Sequence, residues 1–144
     1  YREEVMRDRM LTRSEIAKLF DKAELRQTRQ RTQLAKMLFQ AENRHFTAEQ
    51  LHKEARTAGG TISLATIYNT LHQFRTAGLL RQVIVEPGKV YFDTNTEPHH
   101  HFYIENDGEL LDVERSEIEI STLPEIPKDC AIQETDVIIR LRKK

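Results

Sequence analysis

Residues 63–93 read SLATIYNTLHQFRTAGLLRQVIVEPGKVYFD, and this stretch decides the fold of the N-terminal half of the chain. Ser63 is a preferred helix N-cap, and the apolar residues after it recur at helical spacing until Gly78, which stops the helix. Residues 79–93 then alternate as a hairpin, with Pro87-Gly88 at the two central positions of a type II turn. A helix followed by a two-stranded wing is typical of a winged helix-turn-helix, a DNA-binding arrangement.

The residues before this stretch predict three further helices. Thr12-Arg-Ser-Glu15 has the form of a capping box and begins a helix over about 13–23. Thr28 begins a second helix, and Thr47-Ala-Glu-Gln50 begins a third that reaches about Ala58. Residues 1–11 are charged and weakly periodic, which predicts a mobile arm or a loose helix.

Residues 94–144 predict a small α/β unit. The apolar run Val137-Ile138-Ile139 is continuous rather than alternating, which suits a strand covered on both faces. About fifty residues bury little surface by themselves, so we expect a homodimer to supply the missing cover. The predicted elements are strands over 99–105, 109–114 and 130–141, a turn at 106–108 and a short helix over 116–122.

Charge is distributed unevenly along the 144 residues, although the net charge is only −1. Residues 1–93 hold 16 Lys and Arg against 11 Asp and Glu, whereas residues 94–144 hold 6 against 12. This asymmetry predicts a basic half that meets a polyanion and an acidic half with another role. It also places a domain boundary near Thr94–Pro98, where Asn, Thr and Pro interrupt the pattern.

Composition narrows the class of protein further. The chain has no apolar run of the length that spans a bilayer and no signal-peptide pattern, so we expect a cytoplasmic protein without a membrane partner. Cys130 is the only cysteine, which excludes an intrachain disulfide and a cysteine-based zinc site within one chain. We expect Cys130 to be a small buried apolar residue.

A tract of three histidines, His99-His100-His101, lies between Asp93 and Asp112. Imidazole nitrogens and carboxylate oxygens are ligands that divalent Zn, Mn or Fe accept. Because side chains alternate along a strand, His99 and His101 share one face and His100 points to the other. The tract therefore predicts metal or cofactor ligation, with a solvated loop as the alternative.

Two other classes of function compete with a DNA-binding regulator at this point. A His and carboxylate site with an open position could activate water, as in a metal-dependent hydrolase. The sequence shows no general acid or base set beside such a site, which disfavours an enzyme. The other alternative is a haem-storage or interaction protein without DNA binding.

Several segments resemble the Fur family of metal-responsive transcription regulators. They are residues 25–31 (LRQTRQR), 45–51 (HFTAEQL), 63–74 (SLATIYNTLHQF), 91–93 (YFD) and the histidine tract. Within that family, the triple histidine, the missing Cys-x-x-Cys pair and the VIIRLR ending at 137–142 look like the iron response regulator (Irr) branch. The resemblance implies an α+β protein in which a winged-helix domain (1–93, with the arm 1–11) precedes an α/β dimerisation and sensing domain (94–144). It also implies a homodimer that binds AT-rich operators.

The resemblance also implies ligand sets. The regulatory metal site falls on His45, Asp93, His99, His101 and Asp112. A second metal site matches less well: His100, Glu119 and Glu134 fall on or near ligand positions, but Pro98 replaces a histidine. The structural zinc of many members is missing, because Ile104 and Asp107 stand where a cysteine pair would be. The N-terminal Cys-Pro haem motif is absent, so a haem response would rest on His99, His100 and His101.

The residues expected to meet DNA lie on the helices and at the wing tip. Arg26, Arg29 and Arg31 oppose the helix dipole, which favours contact with phosphates or an AT-rich minor groove, with ordinary surface charge as the alternative. Tyr68 either packs on the core as a flank residue or, as the resemblance implies, contacts a thymine methyl and a phosphate. The remaining candidates are short polar groups and a lysine suited to phosphates or base edges: Ser63, Thr66, Asn69 and Lys89.

These observations predict a dimeric transcription regulator, mainly a repressor, that responds to iron or haem status and is not an enzyme. The expected cofactors are a divalent metal (Mn, Fe or Zn) and haem, and the expected partners are operator DNA, a second copy and a protein that delivers haem. The alternative within the family is a repressor that responds to peroxide or to another metal.

Overall fold

The structure is a computed structural model, and it describes residues 11–40 and 42–144. The arm expected over 1–11 lies, apart from Leu11, outside the described residues. The chain divides into two compact units, of which the first ends at Thr96 and the second begins at Glu97. The architecture is α+β, as the sequence predicts.

The helices of the first unit begin at the side-chain caps that the sequence predicts. Thr12, Thr28, Thr47 and Ser63 each accept a hydrogen bond from the backbone N–H three residues later. Such a cap satisfies one of the N–H groups that a helix start leaves without a partner. The helices are α1 (Arg13–Lys22), α2 (Arg29–Leu38), α3 (Ala48–Thr57) and α4 (Leu64–Thr76).

A single apolar core fills the first unit. Phe74 on α4 lies at its centre, with its ring centroid 5.9 Å from that of Phe20 and 5.8 Å from that of Phe39. Aromatic rings at this separation pack favourably beyond the area they bury. The helices contribute their apolar faces to this core, whose larger members include Ile16, Leu34, Leu38, Phe46, Leu51, Ile67, Leu71 and Phe92.

The wing is a three-stranded antiparallel sheet, whereas the sequence predicted two strands. Its strands are β1 (His45–Phe46), β2 (Arg81–Glu86) and β3 (Lys89–Asp93), in the order β1-β3-β2. The sequence pattern missed β1 because two residues show no periodicity. The β2–β3 turn follows the prediction, since Gly88 has a φ of +77°, as the third position of a type II turn requires.

The second unit contains a three-stranded sheet with the order β5-β4-β6. Its strands are β4 (His100–Ile104), β5 (Glu109–Val113) and β6 (Ile138–Leu141). β4 pairs antiparallel with β5 and parallel with β6. His100 and His101 of the histidine tract therefore lie on the central strand, and His99 directly precedes it.

Two predicted elements of this unit are wrong. The helix expected over 116–122 is only a 3-10 turn at Arg115–Glu117, because its start has no side-chain cap and β-branched Ile118 and Ile120 follow. The strand expected over 130–141 is limited to β6. It is an edge strand, and Ile139 is 37% exposed in the single chain, so the cover on both faces that the sequence predicts would have to come from a second copy.

Cys130 is exposed, which contradicts the prediction of a buried residue. It follows a turn at residues 128–129 in a segment that forms neither helix nor strand, so no packed layer covers it. Across residues 11–40 and 42–144, every helix is too short or too polar to cross a bilayer.

Candidate metal centre and DNA-binding surface

The first unit brings His45 and Asp93 together through the pairing of β1 with β3. The two residues are direct partners in the antiparallel register, and Phe46 next to His45 stacks on Phe92 next to Asp93. His45 Nε2 lies 3.1 Å from Asp93 Oδ2, and the Asp93 side chain is almost fully buried. Asp93 Oδ1 accepts a hydrogen bond from the backbone N–H of Asn95. This carboxylate is therefore held from one side while its other oxygen faces the imidazole.

Arg44 anchors β1 through both its backbone and its side chain. Its backbone N–H donates to Thr94 Oγ1 at 2.9 Å, and its guanidinium donates two hydrogen bonds to the Glu54 carboxylate on α3, at 2.8 and 2.7 Å. The hydrogen bond from Arg44 holds the pKa of Glu54 below its ordinary value, and the same bond raises the pKa of Arg44. The residue before His45 thus ties this pair to a helix of the helix-turn-helix.

The second unit brings His99, His101 and Asp112 together. His101 and Asp112 are register partners on β4 and β5, and His99 lies on the same face as His101 because both imidazoles reach the same Asp112 oxygen. The two imidazole rings are 4.5 Å apart and edge to face. His99 Nε2 and His101 Nε2 lie 3.1 and 3.5 Å from Asp112 Oδ1. Both imidazoles are buried, at 6% and 2% exposure.

The hydrogen bonding of His99 fixes which nitrogen faces the cluster. His99 Nδ1 lies 2.6 Å from the backbone carbonyl of Glu97. A carbonyl oxygen can only accept, so Nδ1 carries the hydrogen and Nε2 of the neutral ring carries the lone pair. A backbone carbonyl on the outer nitrogen is how proteins commonly orient a metal-binding histidine.

The second unit's cluster fits a cation. In the neutral ring, the lone pair of His99 Nε2 faces the Asp112 oxygen at 3.1 Å, which is unfavourable unless a proton or a metal ion lies between them. One ligand atom from each of His99, His101 and Asp112 lies within 4.8 Å of the others. Two ligands that each lie about 2.0–2.2 Å from one ion are at most about 4.4 Å from each other, so only a small shift of these side chains would be needed to bind one. The N and O donors suit Zn, Mn or Fe.

The DNA-binding candidates of the first unit divide into exposed groups and groups already engaged by the protein. Arg26, Arg29 and Asn69 are exposed. Arg31, in contrast, donates from Nε to Gln73 Oε1 at 3.0 Å and from Nη1 to the backbone carbonyl of Arg26 at 2.6 Å. Arg31 therefore braces α2 against α4, which favours a structural role beside any contact with DNA.

The N-terminal turn of α4 also uses its polar groups internally. Ser63 Oγ donates to Thr66 Oγ1 at 2.9 Å and accepts from the Thr66 backbone N–H at 3.2 Å. Tyr68, one turn further on, is 36% exposed, and its hydroxyl donates a hydrogen bond to Glu49 on α3. That bond raises the pKa of Tyr68 above its ordinary value of 10.0. Lys89 lies half-buried at the start of β3.

Comparison with known proteins identifies the family. Residues 22–140 match the ferric uptake regulator family, which covers most of the chain. The chain belongs to that family. The ferric uptake regulation protein of Pseudomonas aeruginosa is 33% identical over 126 residues, which are 85% of this chain and 93% of that protein.

Solved structures of ferric uptake regulators share the fold. The P. aeruginosa regulator with manganese has a TM-score of 0.69 and 28% identity, covering 89% of this chain and 97% of that one. The Vibrio cholerae regulator has a TM-score of 0.69 and 22% identity, covering 89% and 99%. As a ferric uptake regulator family member, the chain is a metal-responsive transcription regulator and not an enzyme, so the hydrolase alternative is set aside.

His100 lies on the opposite face of β4 in this ferric uptake regulator homologue. It is 5% exposed, and its Nδ1 accepts a hydrogen bond from the Val137 backbone N–H at 3.0 Å. In a neutral ring this leaves the hydrogen on Nε2, which would have to be lost before that nitrogen could bind a metal. Within residues 11–40 and 42–144, the clustered potential ligands do not include His100, Glu119 or Glu134.

Sequence reasoning missed three residues at these sites in the regulator. Arg44 and Thr94 hold β1 beside β3, and Glu49 holds Tyr68. The bonds from Arg44 to Thr94 and from Tyr68 to Glu49 join residues 50 and 19 positions apart, so no helical or strand periodicity connects them. The one local signal was the acidic position of Glu49 in the first turn of α3, which by itself indicates only a favourable helix dipole interaction.

Proposed function

We propose that this chain is a homodimeric repressor of the iron response regulator branch, in which one divalent ion per chain sets the affinity for operator DNA. The observation that carries the proposal is the hydrogen bond from His99 to the Glu97 carbonyl, which presents Nε2 as a metal ligand beside the Asp112 carboxylate. The proposed ligands are His45, Asp93, His99, His101 and Asp112.

We propose that both units contribute ligands to one ion, and the short connection between them allows this. Asp93 and His99 are six residues apart, and six extended residues span at most about 20 Å. When bound, the ion supplies positive charge that offsets the Asp93 and Asp112 carboxylates. Ligands drawn from both units then limit the angle between residues 1–93, the proposed DNA-binding domain, and residues 94–144. In a dimer, that angle decides whether two recognition helices fit successive major grooves.

The DNA contacts we propose lie on α4 and on the residues around the start of α2. Tyr68 and Asn69 are exposed on α4, and Arg26 and Arg29 are exposed before and at the start of α2. Arginine suits the narrow minor groove of AT-rich DNA, which is the operator type that the resemblance implies. Ser63, Thr66, Arg31 and Lys89 complete the proposed surface as groups that position the helix or meet phosphates.

The second unit offers a face for a second copy of the chain. Phe102 on β4 pairs with Leu111 on β5 and with Ile139 on β6, so the three side chains share one face of the sheet. Leu111 and Ile139 are 38% and 37% exposed, and Leu141 on the same face is 36% exposed. Clustered apolar side chains on a sheet mark an interaction surface. We propose that two copies bury this face against each other.

For the resident ion we propose Mn or Fe, with Zn as a competitor, because the donors are nitrogen and oxygen and the P. aeruginosa relative was solved with manganese. The Irr resemblance extends the proposal to haem, which a partner protein would deliver in the cytoplasm. His99, His100 and His101 are 6%, 5% and 2% exposed. A haem iron therefore reaches them only if the surroundings of β4 open, so we propose that haem competes with the divalent ion and weakens DNA binding.

The proposal is tested by metal content and DNA affinity measured on the same preparations. Metal-free protein titrated with Mn²⁺ should take up one ion per chain at this site and gain affinity for an AT-rich palindromic duplex, with a steep loss as salt rises. Asp93→Asn and His99→Ala should lose that uptake. His52→Ala is the matched control, because His52 is a half-buried histidine on α3. Unchanged Mn²⁺ uptake in both ligand variants would refute the site.

The haem extension is tested separately. Haem added to the Mn²⁺-loaded protein should release the ion and reduce duplex binding, and His101→Ala should weaken haem binding. Release of no Mn²⁺ at saturating haem would reject competition at this site, while leaving the divalent-ion proposal intact.

A further inference from the structure

The hydrogen bond between Tyr68 and Glu49 lies on the surface that faces outward from the helix-turn-helix. Tyr68 is on α4 and Glu49 is in the first turn of α3, and both side chains are exposed. The Tyr68 hydroxyl donates to a Glu49 carboxylate oxygen. The bond is not the only link between these two helices, because Leu51 on α3 and Ile67 and Leu71 on α4 are all buried in the same apolar core.

A carboxylate at this position works against simple phosphate binding. DNA presents a dense row of anions, so an acid beside α4, the proposed recognition helix, lowers affinity for any duplex. Residues 1–93 are otherwise basic, with 16 Lys and Arg against 11 Asp and Glu. The presence of Glu49 beside Tyr68 therefore indicates a gain in selectivity rather than in affinity.

The hydrogen-bonding capacity of the Tyr68 hydroxyl explains how Glu49 would increase selectivity. A tyrosine hydroxyl has one hydrogen and two acceptor lone pairs. Once Tyr68 donates its hydrogen to Glu49, the hydroxyl can only accept hydrogen bonds. A phosphate oxygen carries no hydrogen, so it cannot donate one to the hydroxyl. On DNA, the hydroxyl can then bond only to N–H donors, which the major groove presents at adenine N6 and cytosine N4. The raised pKa of Tyr68 keeps that hydrogen in place.

We propose that Glu49 is a specificity-determining residue that makes Tyr68 read base edges instead of phosphates. This inference rests on the proposed DNA-binding function, and it revises the phosphate contact expected for Tyr68. The ring stays available for a thymine methyl, while the hydroxyl accepts from an exocyclic amine of a neighbouring base. Glu49 acts through Tyr68 and itself touches no base.

The test compares two duplexes bound by the full chain with saturating Mn²⁺. One duplex is selected from a random pool by the wild-type protein, and the other is its shuffled sequence. Glu49→Ala frees the hydroxyl for phosphates, so the selected-to-shuffled affinity ratio should fall about tenfold, with tighter binding of the shuffled duplex. Glu49→Gln keeps an acceptor for Tyr68 and removes the charge. Both duplexes should therefore bind more tightly, and the selected-to-shuffled affinity ratio should stay unchanged.

Three controls make the result decisive. Tyr68→Phe should lower the ratio without strengthening shuffled binding, and Glu49→Ala added to Tyr68→Phe should lower it no further. Glu125→Ala removes an exposed negative charge from the second unit and should leave the ratio unchanged. If Glu49→Ala misfolds, Glu49→Leu, which also removes the acceptor of the Tyr68 hydroxyl and fills more of the same space, carries the same comparison.

The outcomes separate this inference from the function on which it rests. A wild-type protein that selects no duplex overturns the proposed DNA binding itself. A selective wild type whose ratio stays within twofold in Glu49→Ala overturns only the role of Glu49. Fully additive losses in the double variant would also overturn it, because the two residues would then act independently.

Discussion

The two units of the chain are stabilised in different ways. In the first, residues from α1 to β3 bury a continuous apolar core with Phe74 at its centre. In the second, residues 97–144 bury Tyr103, Leu110 and Val113 as apolar side chains, together with the three histidines of the tract. Imidazoles thus occupy a large part of the interior of the smaller unit, where the larger unit has phenylalanine and leucine.

This difference indicates where each unit draws its stability. An apolar core gains free energy from burial alone, whatever else is bound. A small interior built from histidines gains little from burial unless the nitrogens have partners. We therefore expect the first unit to be stable without ligands, and the second to depend on a metal ion and on the cover of a second copy.

The largest expected effect is on the core of the first unit. Phe74→Ala should lower the free energy of unfolding of that unit by about 3–5 kcal/mol, because it removes a fully buried ring. Hydrogen exchange, read separately from peptides of α4 and of β4, should show lost protection in the first and little change in the second. Ile84→Ala, at a residue 59% exposed on β2, is the control and should change little. Equal loss of protection in both peptides would mean that the units unfold together.

The next effect tests the dependence of the second unit on metal. Mn²⁺ at one hundred times its dissociation constant should stabilise the native chain by about 2.7 kcal/mol, by mass action. His101→Ala should abolish this gain, whereas His72→Ala, at an exposed position on α4, should retain it. Protection from hydrogen exchange in β4 and β5 reports the effect locally. If Mn²⁺ protected α1 and α2 from exchange as strongly as β4 and β5, the two units would not differ in their dependence on metal.

The same contrast explains how much of the fold could be predicted from the sequence. The helices of the first unit were predicted closely because their signals are local: Thr47 caps α3 and Gln50 returns the bond within one turn. In the second unit, residues 118–137 carry apolar side chains such as Ile120 and Ile132 that remain exposed. Local patterns could not place them, since nothing within the unit offers them an interior.

The candidate ligands show a similar limit. The alternation of the histidine tract predicted that His99 and His101 share a face, and the structure shows it. The pairing of His45 with Asp93 could not be derived from periodicity, because it depends on a two-residue strand and on Phe46 stacking against Phe92. Only the family resemblance brought His45 into the ligand set, and that set as a whole stays a proposal.

A smaller effect concerns close packing beneath α3. A Cβ at Gly60 would lie 2.9 Å from the backbone oxygen of Ala55 and 2.7 Å from Gln33 Nε2. Gly60→Ala should therefore destabilise the first unit by about 1–3 kcal/mol in urea unfolding, since the backbone must move. Adding Gln33→Ala relieves one contact but not the other, so it should restore only part of the loss. Full recovery of the free energy of unfolding would show that the clash with the Gln33 side chain, and not the clash with the α3 backbone, causes the destabilisation.

The smallest expected effect is a pH dependence of the first unit through Arg44 and Glu54. The hydrogen bond from Arg44 lowers the pKa of Glu54 below its ordinary value of 4.5. The stabilisation is therefore complete above pH 4.5 and is lost as the pH falls through the lower folded value. The pair is partly exposed, so its loss should cost about 0.2–1 kcal/mol. Urea unfolding of wild type and Glu54→Gln at several pH values should show two curves that converge on acidification. Parallel curves would mean that Glu54 stabilises α3 through something other than its charge, and that β1 and His45 are held without this ion pair.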